Sequence, residues 1–375
     1  MDSREGQLSR IVIRGYKSIR ECSIELKPIN VLIGSNGAGK SNFVSAFWFL
    51  QNILRQNLAV ASQQSGISSL FYNGLKVTEK ISMEFHFGNN AYGFVLIPTD
   101  DGRIIFKNEY FKHFGNNSLS ESYVVGGYGE SQWRKATSNQ LDEYIKPIFE
   151  KESWRVYHFH DTGRMAKVKQ EHNVVNNAAF QQDAGNLAAF LLRLRENYPE
   201  QYREIVSTVR IIVPFFDDFV LAPNENNQEL IVLKWQKKGC DDIFTASQLS
   251  DGTLRFICIA TLLLQPEELM PSTIIVDEPE LGLNPFAITV LAELVKSVSQ
   301  KKQLILSTQS AELLNWFDPE DVIVVDNSNQ GSAFRRLTAE ELGAWLEEDY
   351  SLGDLWNKNL FGGRLTVWTP EKPVR

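Results

Sequence analysis

Nine consecutive residues, Gly34, Ser35, Asn36, Gly37, Ala38, Gly39, Lys40, Ser41 and Asn42, have the types and order needed to hold a chain of phosphates. They contain the spacing Gly-x-x-x-x-Gly-Lys-Ser, in which glycines let the backbone curl until successive N–H groups point at one anion. Lys40 adds a point charge for the terminal phosphates, and the Ser41 hydroxyl suits a Mg2+ ion carried with a triphosphate. A metal shell and an attacking water also need carboxylates, and STIIVDEPELGLNP supplies Asp277 and Glu278. Asp277 is the expected metal partner, and Glu278 the expected general base towards the lytic water. Taken singly, the first pattern also suits a ligand-free glycine turn and the second a solvated acidic loop. Their presence in one chain makes ATP and Mg2+ the expected cofactors.

A third element looks for an anion. In LSDGT, residues 249 to 253, Ser250 and Gly252 stand just ahead of the apolar run LRFICIATLLL, so a hydroxyl and the free N–H groups of a helix start would face the same ligand. The phosphates of one nucleotide are already wrapped by their own loop. A second phosphate-seeking helix start therefore points to the nucleotide held by another copy. Gln309 in LILSTQS can hydrogen-bond an anion or position water but cannot carry positive charge. It also reads as a polar residue ahead of an N-cap, Ser310.

In chain order, GSNGAGKSN, LSDGT, IIVDEPE and LGLNP resemble the ABC-type ATPase heads of the RecF, SMC and OLD families. The opening IVIRGYKSI is similar to the first strands of RecF and SMC heads, so the motifs span residues 11 to about 310. The resemblance implies an α/β P-loop NTPase with a mixed central sheet, an antiparallel β-subdomain and a helical lobe. It also implies a homodimer in which two heads sandwich two ATP molecules. Gly34 to Ser41 would bind ATP, Ser250 and Gly252 would contact the γ-phosphate across the dimer, and Leu281 to Pro285 would form the interface loop.

Three residues depart from the usual ABC pattern: Asp251 replaces a glycine, Asn284 stands where many relatives have Asp, and Gln309 takes the place of a switch histidine near the γ-phosphate, so the resemblance implies slow turnover. By resemblance, the head regulates DNA or a partner nuclease or toxin, in DNA repair or antiviral defence. OLD proteins append a nuclease domain, and the sequence ends soon after the expected ATPase core, so a nuclease is expected on a separate polypeptide. An ATP-bound scaffold that never turns over is an alternative. A transporter ATPase subunit is a further one, opposed by the long interval between Ser41 and Leu249, the KSN ending and Gln309.

These groups need a scaffold. SRIVIRGY, CSIEL and INVLIG read as strands leading to the phosphate loop, followed by a helix through residue 55 and a polar loop, LAVASQQSGISSLFYNG. KISMEFHFG, YGFVLIPT and RIIFKNEYF read as an antiparallel meander. AGNLAAFLLRLRENYPEQYREIVSTVRII predicts two helices divided near Pro199, and ELIVLKWQKKG a strand. IIVDE and LILST predict buried central strands joined by the helix NPFAITVLAELVKSV. The expected segments are a first lobe over residues 1–150, a helical lobe over 151–245, a second lobe over 246–330 and a docking segment over 331–375, all within one ATPase domain. No heptad array for a rod-like arm lies between the phosphate loop and LSDGT.

The chain has 375 residues, 43% hydrophobic and 22% charged, and reads as a folded protein with ample core. A net charge of -8 argues against a surface that attracts nucleic acid everywhere. Arg14 and Lys17 could still line a groove for DNA phosphates. Cys22, Cys240 and Cys258 are too scattered for a disulfide framework or a zinc spacing. The polar start MDSREGQLSR and the absence of a long apolar run predict a cytoplasmic protein without a membrane segment. His158 and His160, on an expected strand WRVYHFHDTG with Asp161 next, suit a metal site, a nucleotide-facing loop or a plain hydrogen-bonded pair. Trp345, Trp356 and Trp368 suit either core or a partner surface, with docking favoured.

Overall fold

The computed structural model describes residues 6–115, 119–124, 126–135, 145–150, 153–328, 330–346 and 350–363. The first strands are β1 (Arg10–Tyr16), β2 (Ile19–Glu25) and β3 (Ile29–Ile33), followed by helices α1 (Lys40–Leu54), α2 (Leu58–Ser65) and α3 (Ile67–Leu70). Then come β4 (Ile81–Phe87), β5 (Asn90–Pro98), β6 (Ile104–Phe114), β7 (Leu119–Val124), α4 (Lys146–Glu150), β8 (Trp154–Tyr157) and β9 (His172–Asn173). Helices α5 (Leu187–Asn197) and α6 (Pro199–Ile212) precede β10 (Phe216–Val220), β11 (Leu230–Ile231), β12 (Lys234–Lys237) and β13 (Ile243–Thr245). The remainder is α7 (Asp251–Leu264), β14 (Thr273–Asp277), α8 (Pro285–Ser299), β15 (Gln303–Thr308), α9 (Ala311–Leu314), β16 (Val322–Ser328), β17 (Gly331–Arg336), α10 (Ala339–Leu346) and α11 (Leu352–Asn357).

The central sheet runs β17-β16-β3-β15-β14-β8, parallel from β16 to β8 and closed on one side by the antiparallel β16–β17 hairpin. Its strands read as unbroken apolar runs because both faces are covered. Leu32, Ile275, Ile305 and Ile323 point into one core with α1 and the antiparallel sheet. Their neighbours Val31, Ile274, Leu304 and Val322 point into a second core with α5, α6, α7 and α8. Parallel pairing places the carboxyl ends of β3, β15, β14 and β8 along one edge, where ligands sit in open α/β sheets.

A six-stranded antiparallel sheet, β2-β1-β4-β5-β6-β7, covers α1 from the other side, as the expected meander requires. Helices α5 and α6 meet at Pro199, which occupies the first turn of α6, where a missing N–H is harmless. The mixed sheet, the antiparallel subdomain and the helical lobe are thus all present.

Four local expectations are corrected. The expected polar loop after α1 contains α2 and α3, which bury Leu58, Ala61 and Leu70. The start of α2 is capped from a distance by Glu130, whose carboxylate accepts from Leu58 N at 2.8 Å and Ala59 N at 3.0 Å. ELIVLKWQKKG is broken into β11 and β12, which pair in different sheets. The strand through WRVYHFHDTG stops at Tyr157, so His158 and His160 lie beyond it. Trp356 is core, 4% exposed and stacked on Phe361, whereas Trp345 is 41% exposed. Trp368 lies outside the described residues.

Candidate functional site

Residues 34–39 curl between the end of β3 and the start of α1, with Asn36 and Gly37 exposed and Ala38 buried. The curl depends on glycine. At Gly39, φ is +116° and a Cβ would lie 2.1 Å from Ser332 Oγ, so no side chain fits. Lys40 is 5% exposed, and its Nζ donates to the carbonyl oxygens of Gly34 at 2.6 Å and Ser35 at 3.2 Å. Burial pulls its pKa below the ordinary lysine value, opposed by the charges of Glu278, Asp277 and Glu280. Asn42 Nδ2 donates to Ser18 Oγ at 2.7 Å, which fixes the loop's exit against the β1–β2 turn. The N–H of Ser35 donates to Gly363 O at 2.8 Å, so the segment after α11 also holds the loop.

The ends of β14 and β15 bring the acids to the loop. Ser41 Oγ lies 3.5 Å from Asp277 Oδ2, while the buried Asp277 Oδ1 has no hydrogen-bond partner among the described residues. Hard oxygen donors, one of them unsatisfied, suit a Mg2+ ion. Glu278 adopts φ +46°, a left-handed conformation that a non-glycine residue holds only where its surroundings enforce it. Its N–H donates to Ser307 O at 2.7 Å, and its Oε1 accepts from Gln309 Nε2 at 2.6 Å. Both uses of this segment coexist, since Ser310 Oγ caps α9 by accepting from Leu313 N at 3.1 Å. His160 ends beside the same acids, its Nε2 2.9 Å from Asp277 O.

Helix α7 begins as expected. Ser250 Oγ accepts from Thr253 N at 3.2 Å and lies 2.8 Å from Thr253 Oγ1, and Ser250 is exposed. A Cβ on Gly252 would lie 2.1 Å from Gly282 O, so the helix start rests against the backbone of the loop that follows β14. Asn284, which replaces the usual Asp, caps α8 by accepting from Ala287 N at 2.9 Å, with Pro285 next. Among the described residues, the side-chain hydrogen bonds of Ser250 stay within the first turn of α7.

Some site residues gave no clear signal in the sequence. Glu280 is half-buried; its Oε1 accepts from Thr308 Oγ1 at 2.5 Å and Gln309 N at 3.2 Å, while its buried Oε2 has no partner among the described residues. Burial pushes its pKa up, against the pull of the hydrogen bonds from Thr308 and the backbone. Arg255 ties three segments together: its guanidinium donates to Phe159 O at 3.2 Å, His160 O at 2.9 Å, Thr162 Oγ1 at 3.3 Å and Leu281 O at 3.2 Å. A lone arginine in the otherwise apolar LRFICIA was the available clue, because a cation on a buried helix face needs acceptors.

Other candidates are placed elsewhere. Asp161 Oδ1 accepts from Gly163 N at 3.0 Å in a local turn. Among the described residues no cluster of three or more His, Cys, Asp or Glu side chains is placed to hold a metal. Arg14 pairs with Glu21 at 2.9 Å, and Lys17 Nζ donates to Ser45 Oγ on α1 at 3.0 Å, so both are engaged within the chain. Among the described residues no helix is long and apolar enough to cross a membrane.

The sheet order, the loop after β3 and the capped α7 define the class: this is an ABC-type P-loop ATPase head of the RecF, SMC and OLD kind. An SMC head solved in complex with the C-winged helix domain of ScpA has the same fold, with TM-score 0.60 and 15% identity over 90% of this chain and 99% of that one. An SMC head with an extended coiled coil, bound to the C-terminal domain of ScpA and derived from Pyrococcus furiosus, gives 0.56 and 15% over 91% and 99%. Within the class, the chain belongs to the family described as "AAA domain, putative AbiEii toxin, Type IV TA system", which matches residues 29–315. It is also 24% identical to the Old nuclease of Escherichia phage P2 over 90% of this chain, and spans 62% of that protein's length.

Proposed function

We propose that this protein is an ATP-driven switch in which two copies share their reaction centres. The observation that carries this reading is the placement of Ser250: an exposed, capped helix start whose side-chain hydrogen bonds, among the described residues, reach no residue of its own phosphate loop. Each copy holds ATP on residues 34–42, with Lys40 at the terminal phosphates and the N-terminus of α1 behind them. Ser41 and Asp277 would hold Mg2+, which when bound would offset phosphate charge. Ser250 and the free N–H groups beside Gly252 close on the γ-phosphate bound by the other copy. Glu278 takes the proton of the attacking water, and Gln309 holds that carboxylate in place. Closure by ATP and release after hydrolysis would move a bound effector. The nuclease and the toxin named among the relatives support a nuclease or toxin as that effector, and by analogy DNA repair or antiviral defence is the setting.

Glu278→Gln tests this reading, because it keeps the hydrogen bond to Gln309 and removes the base. It should accumulate ATP-bound dimers by light scattering while phosphate release falls. A variant that stays monomeric in saturating ATP would remove the dimer from the account. No phosphate release from the native protein, with any DNA or partner, would favour an ATP-bound scaffold.

A further inference from the structure

The start of α7 carries a carboxylate where an anion has to dock. Asp251 follows Ser250, its side chain is 63% exposed, and a fixed negative charge at that position repels phosphate. An amine stands beside it. Lys169, at the end of the short turn Lys167–Lys169, has a side chain only 8% exposed, and its Nζ lies 3.8 Å from Asp251 Oδ1. The same ammonium donates to Thr162 O at 2.5 Å. An ammonium has three protons, and among the described residues Thr162 O is its one hydrogen-bond acceptor, with Asp251 within ion-pair distance. Thr162 is itself held by Arg255 of α7, so Lys169 is fixed to the same body as Ser250.

We propose that Lys169 is the cation of the shared phosphate clamp, neutralising Asp251 and turning its ammonium to the γ-phosphate presented by the other copy. This rests on the composite-site reading and names the residue that makes a Ser-Asp-Gly turn fit for it. Lys169 stays beside Asp251 and offers its remaining protons to the anion that docks, so the more highly charged end of ATP is favoured over ADP at the interface. A purely structural role, stapling Thr162, would not involve Asp251.

Lys169→Gln separates the two roles, because an amide still donates to Thr162 O but carries no charge. The full chain would be compared as native, Lys169→Gln, Asp251→Gly, the double variant and Ser250→Arg. The readouts are ATP-dependent self-association by light scattering, phosphate release, and binding of a fluorescent ATP analogue by dilute single copies. Lys169→Gln should lose about tenfold in association while single copies still bind the analogue. Asp251→Gly should strengthen association, and the double variant should return to within about threefold of native. A double variant as weak as Lys169→Gln, or a Lys169→Gln that associates like native, overturns the inference. Lys169→Arg, which keeps the charge, should associate like native, and its failure to do so also counts against the inference. If Ser250→Arg associates normally, the shared site itself fails and Lys169 loses its role with it.

Discussion

Gln309 Nε2 donates to Glu278 Oε1 at 2.6 Å, across the ends of two neighbouring parallel strands. The amide holds the carboxylate without competing for its proton, as a base towards water requires. Gln309→Ala should therefore lower kcat by about 10- to 100-fold and change KM for ATP by less than about threefold. Steady-state phosphate release checks this. A raised KM with intact kcat would mean that Gln309 grips the nucleotide instead.

Asp277 presents an unsatisfied buried oxygen beside Ser41. Asp277→Asn should fold and should lose the increment in ATP affinity that Mg2+ provides, with Ser41→Ala moving the same way by less. Titrations with Mg2+ and with EDTA make the comparison. An Asp277→Asn variant whose affinity still rises with Mg2+ as in the native protein would contradict the assignment.

Glu280 gives a pH dependence of known sign. Its folded pKa is raised by burial, so above the ordinary carboxyl value of about 4.3 the folded state holds more protons than the unfolded one. Stability from this group is therefore present at low pH and lost as pH rises towards the folded pKa. Glu280→Gln removes that loss while keeping an oxygen for Thr308 and Gln309. The gap in Tm between Glu280→Gln and native should grow in favour of the variant as pH rises from about 4 through that window. A gap independent of pH would show that Glu280 does not titrate there.

Gly252 is required by contact as well as by chemistry. The Cβ of Gly252→Ala would meet Gly282 O at 2.1 Å and push α7 off the loop after β14. A loss of about 1–3 kcal/mol in unfolding free energy should accompany weaker self-association. Chemical denaturation measures it, and a native-like midpoint would show that the two backbones can separate freely.

What the sequence disclosed follows from how local each signal is. The phosphate loop, the acidic strand end and the start of α7 are short runs whose residue types sit together in sequence, so Gly39, Lys40, Asp277 and Ser250 were legible. Strands β3, β14 and β15 were legible because burial on both faces leaves continuous apolar runs. Distant partners were not. The cap on α2 comes from Glu130, Arg255 bonds carbonyls nearly a hundred residues away, and Lys169 meets Asp251 only through the fold. The departures at Asp251 and Asn284 were visible, but what accommodates them is a neighbouring amine in one case and an N-cap in the other.

The central claim is that a complete reaction centre needs two copies, and complementation tests it most directly. Lys40→Ala disables the phosphate loop, and Ser250→Arg disables the clamp offered to the other copy. Each alone should be inactive, and an equimolar mixture should recover phosphate release, up to about half of native, because a mixed dimer carries one intact centre of two. A mixture as inactive as its parents, with mixed dimers shown to form, would contradict the account.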